Sequence, residues 1–176
     1  MIHDIVIYPD PRLKLVSEEV TAFDEELHTL LEDMYETMIA KNGVGLAAIQ
    51  IGVPKRVLIV NVPISQGDDQ PAIQPPENTL EIINPVITYR SEEMVDFEEG
   101  CLSVPGYYAD ITRHAMITLE YQDRHGQTHR IEDDEFLSIA LQHEIDHLDG
   151  KLFIEKLSFT KRKKFEKEWK KRKKAS

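Results

Sequence analysis

Residues Gln142-His143-Glu144-Ile145-Asp146-His147 constrain this chain more than any other stretch. Two imidazoles four positions apart act together only on a helix, where i and i+4 share a face and their Cβ atoms lie roughly 5–6 Å apart. On such a helix His143 and His147 can bind one metal ion. Glu144, directly after the first ligand, can then reach over the open coordination position and handle the proton of a water. The hexapeptide therefore asks for a helix, a metal and a hydrolytic chemistry.

Two histidines make half a site, and the chain's single cysteine, Cys101, is the candidate third ligand. It lies in Glu99-Gly100-Cys101-Leu102-Ser103-Val104-Pro105-Gly106, far from the helix in sequence. A thiolate with two imidazoles leaves a fourth position for water, the arrangement of a catalytic rather than a closed structural site. Taken alone, a lone cysteine reads as readily as a small buried hydrophobe. A third segment, Gly43-Val44-Gly45-Leu46-Ala47-Ala48-Ile49-Gln50, is a run of small residues ending in an amide. Its glycines permit close backbone approach, so Gln50 can be held against a ligand; an ordinary helix-ending turn with Gly43 at the cap is the plainer alternative. It lacks the spacing and preceding strand of a dinucleotide loop.

Between these motifs the periodicity is mixed. From Phe23 to Ile39, apolar residues at Leu27, Leu30, Leu31, Met34 and Met38 predict an amphipathic helix. Arg56 to Val62, Leu80 to Ile87 and Ala115 to Tyr121 read as strands. Asp123-Arg124-His125-Gly126 reads as a hairpin turn into a further strand from Gln127 to Ile131. Asp133 or Asp134 can cap the metal helix and Gly150 can end it. The fold class is α+β, and 176 residues with 41% apolar content suffice for one sizeable core. The first residues do not read as a signal peptide, and no apolar run is long enough to span a bilayer. One cysteine excludes an internal disulfide framework, which makes a reducing cytoplasm the natural setting.

In order and spacing the three segments resemble the peptide deformylases, whose motifs Gly-x-Gly-x-Ala-Ala-x-Gln, Glu-Gly-Cys-x-Ser and Gln-His-Glu-x-Asp-His are all intact. The resemblance runs from Val6-Ile7-Tyr8-Pro9-Asp10-Pro11-Arg12-Leu13 to Leu152-Phe153, and Val104-Pro105-Gly106 after Ser103 looks like the bacterial type 1 form. It implies mixed or antiparallel strands packed around a central metal-binding helix, followed by a C-terminal helix. It implies one Fe2+ on Cys101, His143 and His147, with Ni2+, Co2+ or Zn2+ able to substitute. The reaction so implied is hydrolysis of the formyl group from N-terminal formyl-methionine of nascent polypeptides, releasing formate. Glu144 would carry the proton, while the Gln50 amide and the Leu102 backbone N–H would stabilise the oxyanion. Specificity would come from a narrow space between the metal, Gly45 and Leu102, with Gly100 among the substrate-pocket residues. The methionine side chain would enter a pocket of Val44, Phe97, Phe136, Ile139 and Ala140. Of these, Phe136, Ile139 and Ala140 precede His143 by seven, four and three residues, on its own helical face.

Other residues carry less. Asp146 suits a supporting role beside the ligands, and Arg113 either anchors substrate backbone or makes a salt bridge. Tyr107 and Tyr108 read as loop aromatics that rim a groove or simply pack. His3, His28, His114, His125 and His129 lack a companion at ligand spacing. Pro63 to Asn78, with its prolines and Gly-Asp-Asp, is a long loop of unassigned role.

Charge divides the chain sharply. From Lys151 to Ser176 there are 12 Lys or Arg against 3 Asp or Glu, whereas residues 1–150 carry 9 against 29. Ser158 or Thr160 can cap a final helix, with Phe165 and Trp169 as a thin apolar stripe among lysines. The catalytic domain is thus expected over 1–157, with 158–176 a basic helix of the same unit. Family resemblance implies that this helix docks on the ribosome; a solvated helix folding back on the acidic body is the alternative. No membrane partner is expected. The setting is bacterial cytoplasm, or an organelle if a transit peptide has been removed. A zinc endopeptidase shares His-Glu-x-x-His, but the Cys101 ligand and the Gln50 segment argue against it. A non-catalytic ribosome-binding protein would lack one of the chemical groups that are all present here.

Overall fold

The computed structural model describes residues 1–175. Seven strands and three helices run in the order α1 (Glu25–Ala40), β1 (Gly45–Ala47), β2 (Val57–Val60), β3 (Leu80–Arg90), β4 (Met94–Cys101), β5 (Val104–His114), β6 (Ile117–Gln122), β7 (Thr128–Asp133), α2 (Phe136–Leu148) and α3 (Phe159–Ala175). Five strands form one antiparallel sheet in the order β1-β2-β3-β6-β7, and β4 with β5 forms a separate antiparallel hairpin. The architecture is α+β with α2 at its centre.

Strand β2 shows why α2 is central. Its four residues, Val-Leu-Ile-Val, are all buried. Side chains alternate across a strand. Val57 and Ile59 therefore join Leu27, Leu31, Met34 and Met38 of α1 on one face, while Leu58 and Val60 join Leu141, Ile145 and Leu148 of α2 on the other. Each such aliphatic side chain stabilises the fold by roughly 1.5–3 kcal/mol on full burial. Two helices thus sandwich the sheet, and the ligand-bearing face of α2 turns away from it toward the β4–β5 hairpin.

Local signals set the helix ends. Asp133 accepts hydrogen bonds from the backbone N–H of Glu135 (3.0 Å) and Ser138 (2.8 Å), so it serves the first turn of α2 from just outside it. At the far end Gly150 adopts φ +74°, and the N–H of Lys151 donates to the Asp146 carbonyl (2.8 Å). This is a Schellman ending, and a side chain at Gly150 would also collide with the Lys14 backbone. At the end of α1 the left-handed residue is Asn42 (φ 59°), not Gly43, which corrects the expected cap. Gly43 donates to Met38 O at 2.9 Å and is small for another reason: a Cβ there would lie 2.8 Å from Leu102 Cδ1.

The β4–β5 hairpin is the element that periodicity misses. Its first strand carries Asp96, Glu98, Glu99 and Gly100, and its second opens on Val104-Pro105-Gly106, both poor by strand propensity. Pairing between the two supplies what propensity lacks, in register from Met94↔His114 to Glu99↔Ala109 before a shift to Cys101↔Val104. Tyr107 and Tyr108 therefore lie on a strand rather than in a loop.

Helix α3 returns across the hairpin. Phe165 and Trp169 are buried against Tyr8, Tyr107 and Phe153, and the Trp169 indole N–H donates to Tyr8 O at 3.1 Å. Ser158 receives the Lys161 N–H at its hydroxyl (3.3 Å), as a cap would. The apolar stripe seats the helix on the body and leaves the lysines on the outer side. Among the described residues no helix is long and apolar enough to cross a membrane. Trp169→Ala is expected to cost about 3–5 kcal/mol of unfolding free energy, read from urea titrations, because the indole is 8% exposed and its hydrogen bond is lost as well.

Candidate metal centre and active site

Helix α2 presents His143 and His147 on one face, ring centroids 5.1 Å apart. The hairpin brings Cys101 to them, with Sγ 3.4 Å from His147 Nε2. The donor atoms of Cys101, His143 and His147 all lie within 4.8 Å of one another. Both imidazoles are buried and Cys101 is half-buried. Burial holds the pKa of His147 well below its ordinary value. Burial also pulls His143 down, but its contacts with Cys101 and Glu99 outweigh that and hold it well above. A thiol beside two imidazoles fits a divalent transition metal.

Glu99 organises the ligands. It sits two residues before Cys101 on β4, on the same face of the strand. Its Oε1 accepts from His143 Nδ1 at 2.8 Å, which turns the other ring nitrogen toward Cys101 and fixes the tautomer. The Arg113 guanidinium grips the same carboxylate through Nε (2.6 Å) and Nη2 (2.9 Å), and Asp146 of α2 through Nη1 (2.9 Å). Burial raises the pKa of Glu99, but the bonds from His143 and Arg113 override it and leave the carboxyl below its usual range. Arg113, 3% exposed, is thus a buried ion-pair centre rather than a contact for substrate backbone. Gln142 adds a second clamp between α2 and β5, donating to His114 O (2.8 Å) and accepting from His114 N–H (3.2 Å).

Glu144 stands apart from these ties. It is buried, its Oε1 lies 3.9 Å from His143 Nε2, and its Oε2 has no hydrogen-bond partner among the described residues. Burial raises its pKa to about 7, against the pull of His143 and Arg113. A buried carboxyl oxygen without a partner is costly unless it serves a reaction or receives a ligand. Gly45 makes room for it: a Cβ at that position would lie 3.0 Å from the Glu144 side chain.

Gln50, in a short 3-10 turn after β1, is also buried. Its Oε1 accepts from Ala47 N–H (2.9 Å), which orients the amide so that Nε2 donates to Ser103 Oγ (3.0 Å) and points at Cys101 Sγ (3.5 Å). The segment expected to be a small-residue loop is therefore strand plus turn, paired with β2 at Gly45↔Val60. These groups open onto a cavity of about 490 Å3. Val44, Gly45, Phe97, Gly100, Leu102, Phe136, Ile139 and Ala140 all line it, along with Gln50, Cys101, His143 and Glu144. Phe97 and Phe136 meet at 5.4 Å between ring centroids, and Gly100 admits the Tyr108 ring.

Every residue singled out for the site falls around this one cavity or directly beneath it. The remaining histidines lie elsewhere: His3 on Asp33, His28 and His125 against each other, His129 on Asp123, and His114 on the Ser91 carbonyl. Sequence reasoning passed over Glu99, Ser103 and the joining role of Arg113. Glu99 was within reach, because a ligating imidazole wants a carboxylate on its second nitrogen and Glu99 shares a motif with Cys101. Arg113, twelve residues beyond Cys101, carries no local signal.

Comparison with known proteins identifies the family. The sequence model of the family "Polypeptide deformylase" matches residues 2–163. The chain is 58% identical to a peptide deformylase of Wolinella succinogenes over 172 residues, covering 98% of each chain. It is 56% identical to that of Campylobacter jejuni over 174 residues, covering 99% of this chain and 97% of the relative. Among solved structures, a peptide deformylase from Ehrlichia chaffeensis superposes with a TM-score of 0.86 at 43% identity, over 98% of this chain and 97% of that one. The same organism's enzyme in complex with actinonin gives 0.86 at 44%, covering 97% of each. The chain belongs to the polypeptide deformylase family, and its reaction is the metal-dependent hydrolysis that removes the N-terminal formyl group of nascent polypeptides.

Proposed function

We propose that Cys101, His143 and His147 hold one divalent cation per chain, Fe2+ in the cell, and that Glu144, Gln50 and the Leu102 N–H carry out the hydrolysis beside it. The observation that carries this reading is the convergence of one sulfur and two imidazoles at the head of the cavity, with the partnerless Glu144 carboxyl next to them. The donor set suits iron, and also nickel, cobalt or zinc. When bound, such a cation supplies Lewis acidity, lowering the pKa of a water molecule and polarising a carbonyl.

Glu144 takes the proton of the attacking water. With a pKa of about 7 it can both accept that proton and give it up again near neutrality. As the C–N bond breaks, the same carboxyl returns the proton to the departing nitrogen. One water is consumed, and formate and a free amine leave. Gln50 Nε2 and the Leu102 N–H donate to the oxygen on which negative charge develops; removal of one such donor commonly raises a barrier by about 2.7–4 kcal/mol.

Gly45 and Leu102 bound a narrow space beside the ligands in this reading, and Gly100 lines the same cavity. A formyl hydrogen fits there, and an acetyl methyl would meet the wall. The methionine side chain enters between Val44, Phe97, Phe136, Ile139 and Ala140, whose apolar surfaces the cavity already brings together. The catalytic unit spans 1–157 and the basic 158–176 segment belongs to the same domain, a reading supported by the aromatic seam that Phe165 and Trp169 of α3 make with the body; Ser176 lies outside the described residues. The segment's outward lysines dock on ribosomal phosphates. The enzyme works in the bacterial cytoplasm, where formylated chains are made.

For Glu144→Gln, metal analysis should show undiminished binding, since no ligand is removed, while kcat for formyl-Met-Ala-Ser falls by about 10²–10⁴-fold. Parental kcat in that variant would overturn the assigned proton carrier. For Glu99→Gln, competition against a chelator should show metal affinity reduced by about 10–100-fold, because His143 loses its carboxylate acceptor. Unchanged affinity would mean that the ligands orient themselves. Iron-loaded protein should lose activity in air while nickel-loaded protein keeps it, since Fe2+ reacts with dioxygen and exposes its thiolate ligand to oxidation, whereas Ni2+ does not.

A further inference from the structure

The Pro63–Asn78 loop has so far no part in the function, yet one of its side chains reaches the active site from behind. Gln74 Nε2 donates to two backbone carbonyls at once, Gly43 O and Asn61 O, each at 2.9 Å. Gly43, Val44 and Gly45 belong to the segment that walls the cavity, and Asn61 directly follows β2. The two are joined again one residue on, where the Asn61 N–H donates to Val44 O at 2.8 Å.

The wall so fixed touches both sides of the chemistry. A Cβ on Gly43 would meet Leu102 at 2.8 Å, and one on Gly45 would meet Glu144 at 3.0 Å. Glu144 and Leu102, the assigned proton carrier and oxyanion donor, thus rest against the same short segment. Displacing it by a few tenths of an ångström shifts the base and the oxyanion donor relative to each other.

The loop itself is built to hold Gln74 still. The Tyr35 hydroxyl donates to Gln74 O (3.2 Å), Asn61 Nδ2 to Pro75 O (2.9 Å) and to Thr79 Oγ1 (3.0 Å). Ile64 and Ile73 pair through two backbone bonds of 2.8 and 3.0 Å, which closes the loop above the exposed Gly67-Asp68-Asp69 tip. These ties would anchor the loop without any help from the Gln74 side chain. Among the described residues of the loop, that amide is the one hydrogen-bonded to the cavity wall.

We propose that Gln74 is a positioning residue for the hydrolysis: through it the 63–78 loop fixes the Gly43–Gly45 wall, and with it the relation between Glu144 and Leu102. The proposal rests on the site assignment given under Proposed function. A donor pair is what the position requires, because two carbonyl oxygens face it.

The test is steady-state kinetics on formyl-Met-Ala-Ser with metal-loaded protein, rates being normalised to bound metal. Gln74→Met, similar in shape but without donors, should lower kcat by about five- to tenfold with KM changed less than about twofold, the pattern of an interaction that matters in the transition state. Gln74→Glu, which sets a carboxylate against the two carbonyls, should lose at least as much. Gln74→Lys, which can still donate to both, should recover most of the parental kcat. Replacing residues 66–69 by two glycines, which keeps the Ile64–Ile73 pairing, should leave kcat within about twofold of the parent. A parental kcat in both Gln74→Met and Gln74→Glu would overturn the proposal. So would an equal loss in the shortened loop, or failure of Gln74→Lys to exceed Gln74→Met. Collapse in Glu144→Gln alongside a parental kcat in both Gln74→Met and Gln74→Glu would refute the positioning role of Gln74 alone; parental activity in Glu144→Gln would instead refute the site assignment beneath it.

Discussion

The buried Glu99 carboxylate is the interaction on which the rest of this site depends. Its two oxygens are shared between His143 of α2 and Arg113 of β5, while its own strand delivers Cys101 two residues later. Three elements from separate parts of the chain therefore meet at one anion. Burying a charge is costly unless it is paired and hydrogen-bonded. Here Arg113 is matched on both sides, by Glu99 and by Asp146. The same charge network that would be a weak source of stability serves well as a register, because a hairpin shifted by one residue would leave Arg113 and Glu99 buried and unpaired.

Close approach is the second constraint. The cavity is narrow where glycines stand, and each has a specific neighbour: Leu102 at Gly43, Glu144 at Gly45 and Tyr108 at Gly100. The absence of Cβ atoms lets β1 and the hairpin close on α2 from two sides. Chemistry that needs a base, two donors and a cation within a few ångströms cannot be assembled from elements kept apart by ordinary side chains.

Particular residues show what was legible in the sequence and why. His143, Glu144 and His147 are local in the chain, so helical spacing alone placed the two imidazoles on one face with the carboxylate beside them. A strand was legible across residues 57–60, within the expected 56–62, and α1 in its three-and-four spacing; burial of both faces of that strand is seen only in the fold. The β4–β5 hairpin was not legible. Its carboxylates, Gly100 and Pro105 disfavour strands locally, and only their pairing with each other, together with Arg113, overcomes that preference. The same blindness hid the role of Glu99 and the partners of the Arg113 salt bridge, because an ion pair across a hairpin has no periodicity. Gln74 was hidden more deeply still, since its partners are backbone carbonyls, which leave no trace in side-chain identity. Cys101 stood out as the candidate third ligand because it is the chain's single cysteine, and resemblance to a family favoured that role over a small buried hydrophobe.

The most direct test of the metal centre is X-ray absorption at the iron edge of anaerobically loaded protein, with Cys101→Ser measured alongside. The expected result is a first coordination sphere with one sulfur and two imidazole nitrogens in the parent, and loss of the sulfur scatterer in the variant. A parental spectrum with only oxygen and nitrogen neighbours would contradict it. The Cys101–His143–His147 cluster would then not be the metal centre around which the rest of the site is arranged.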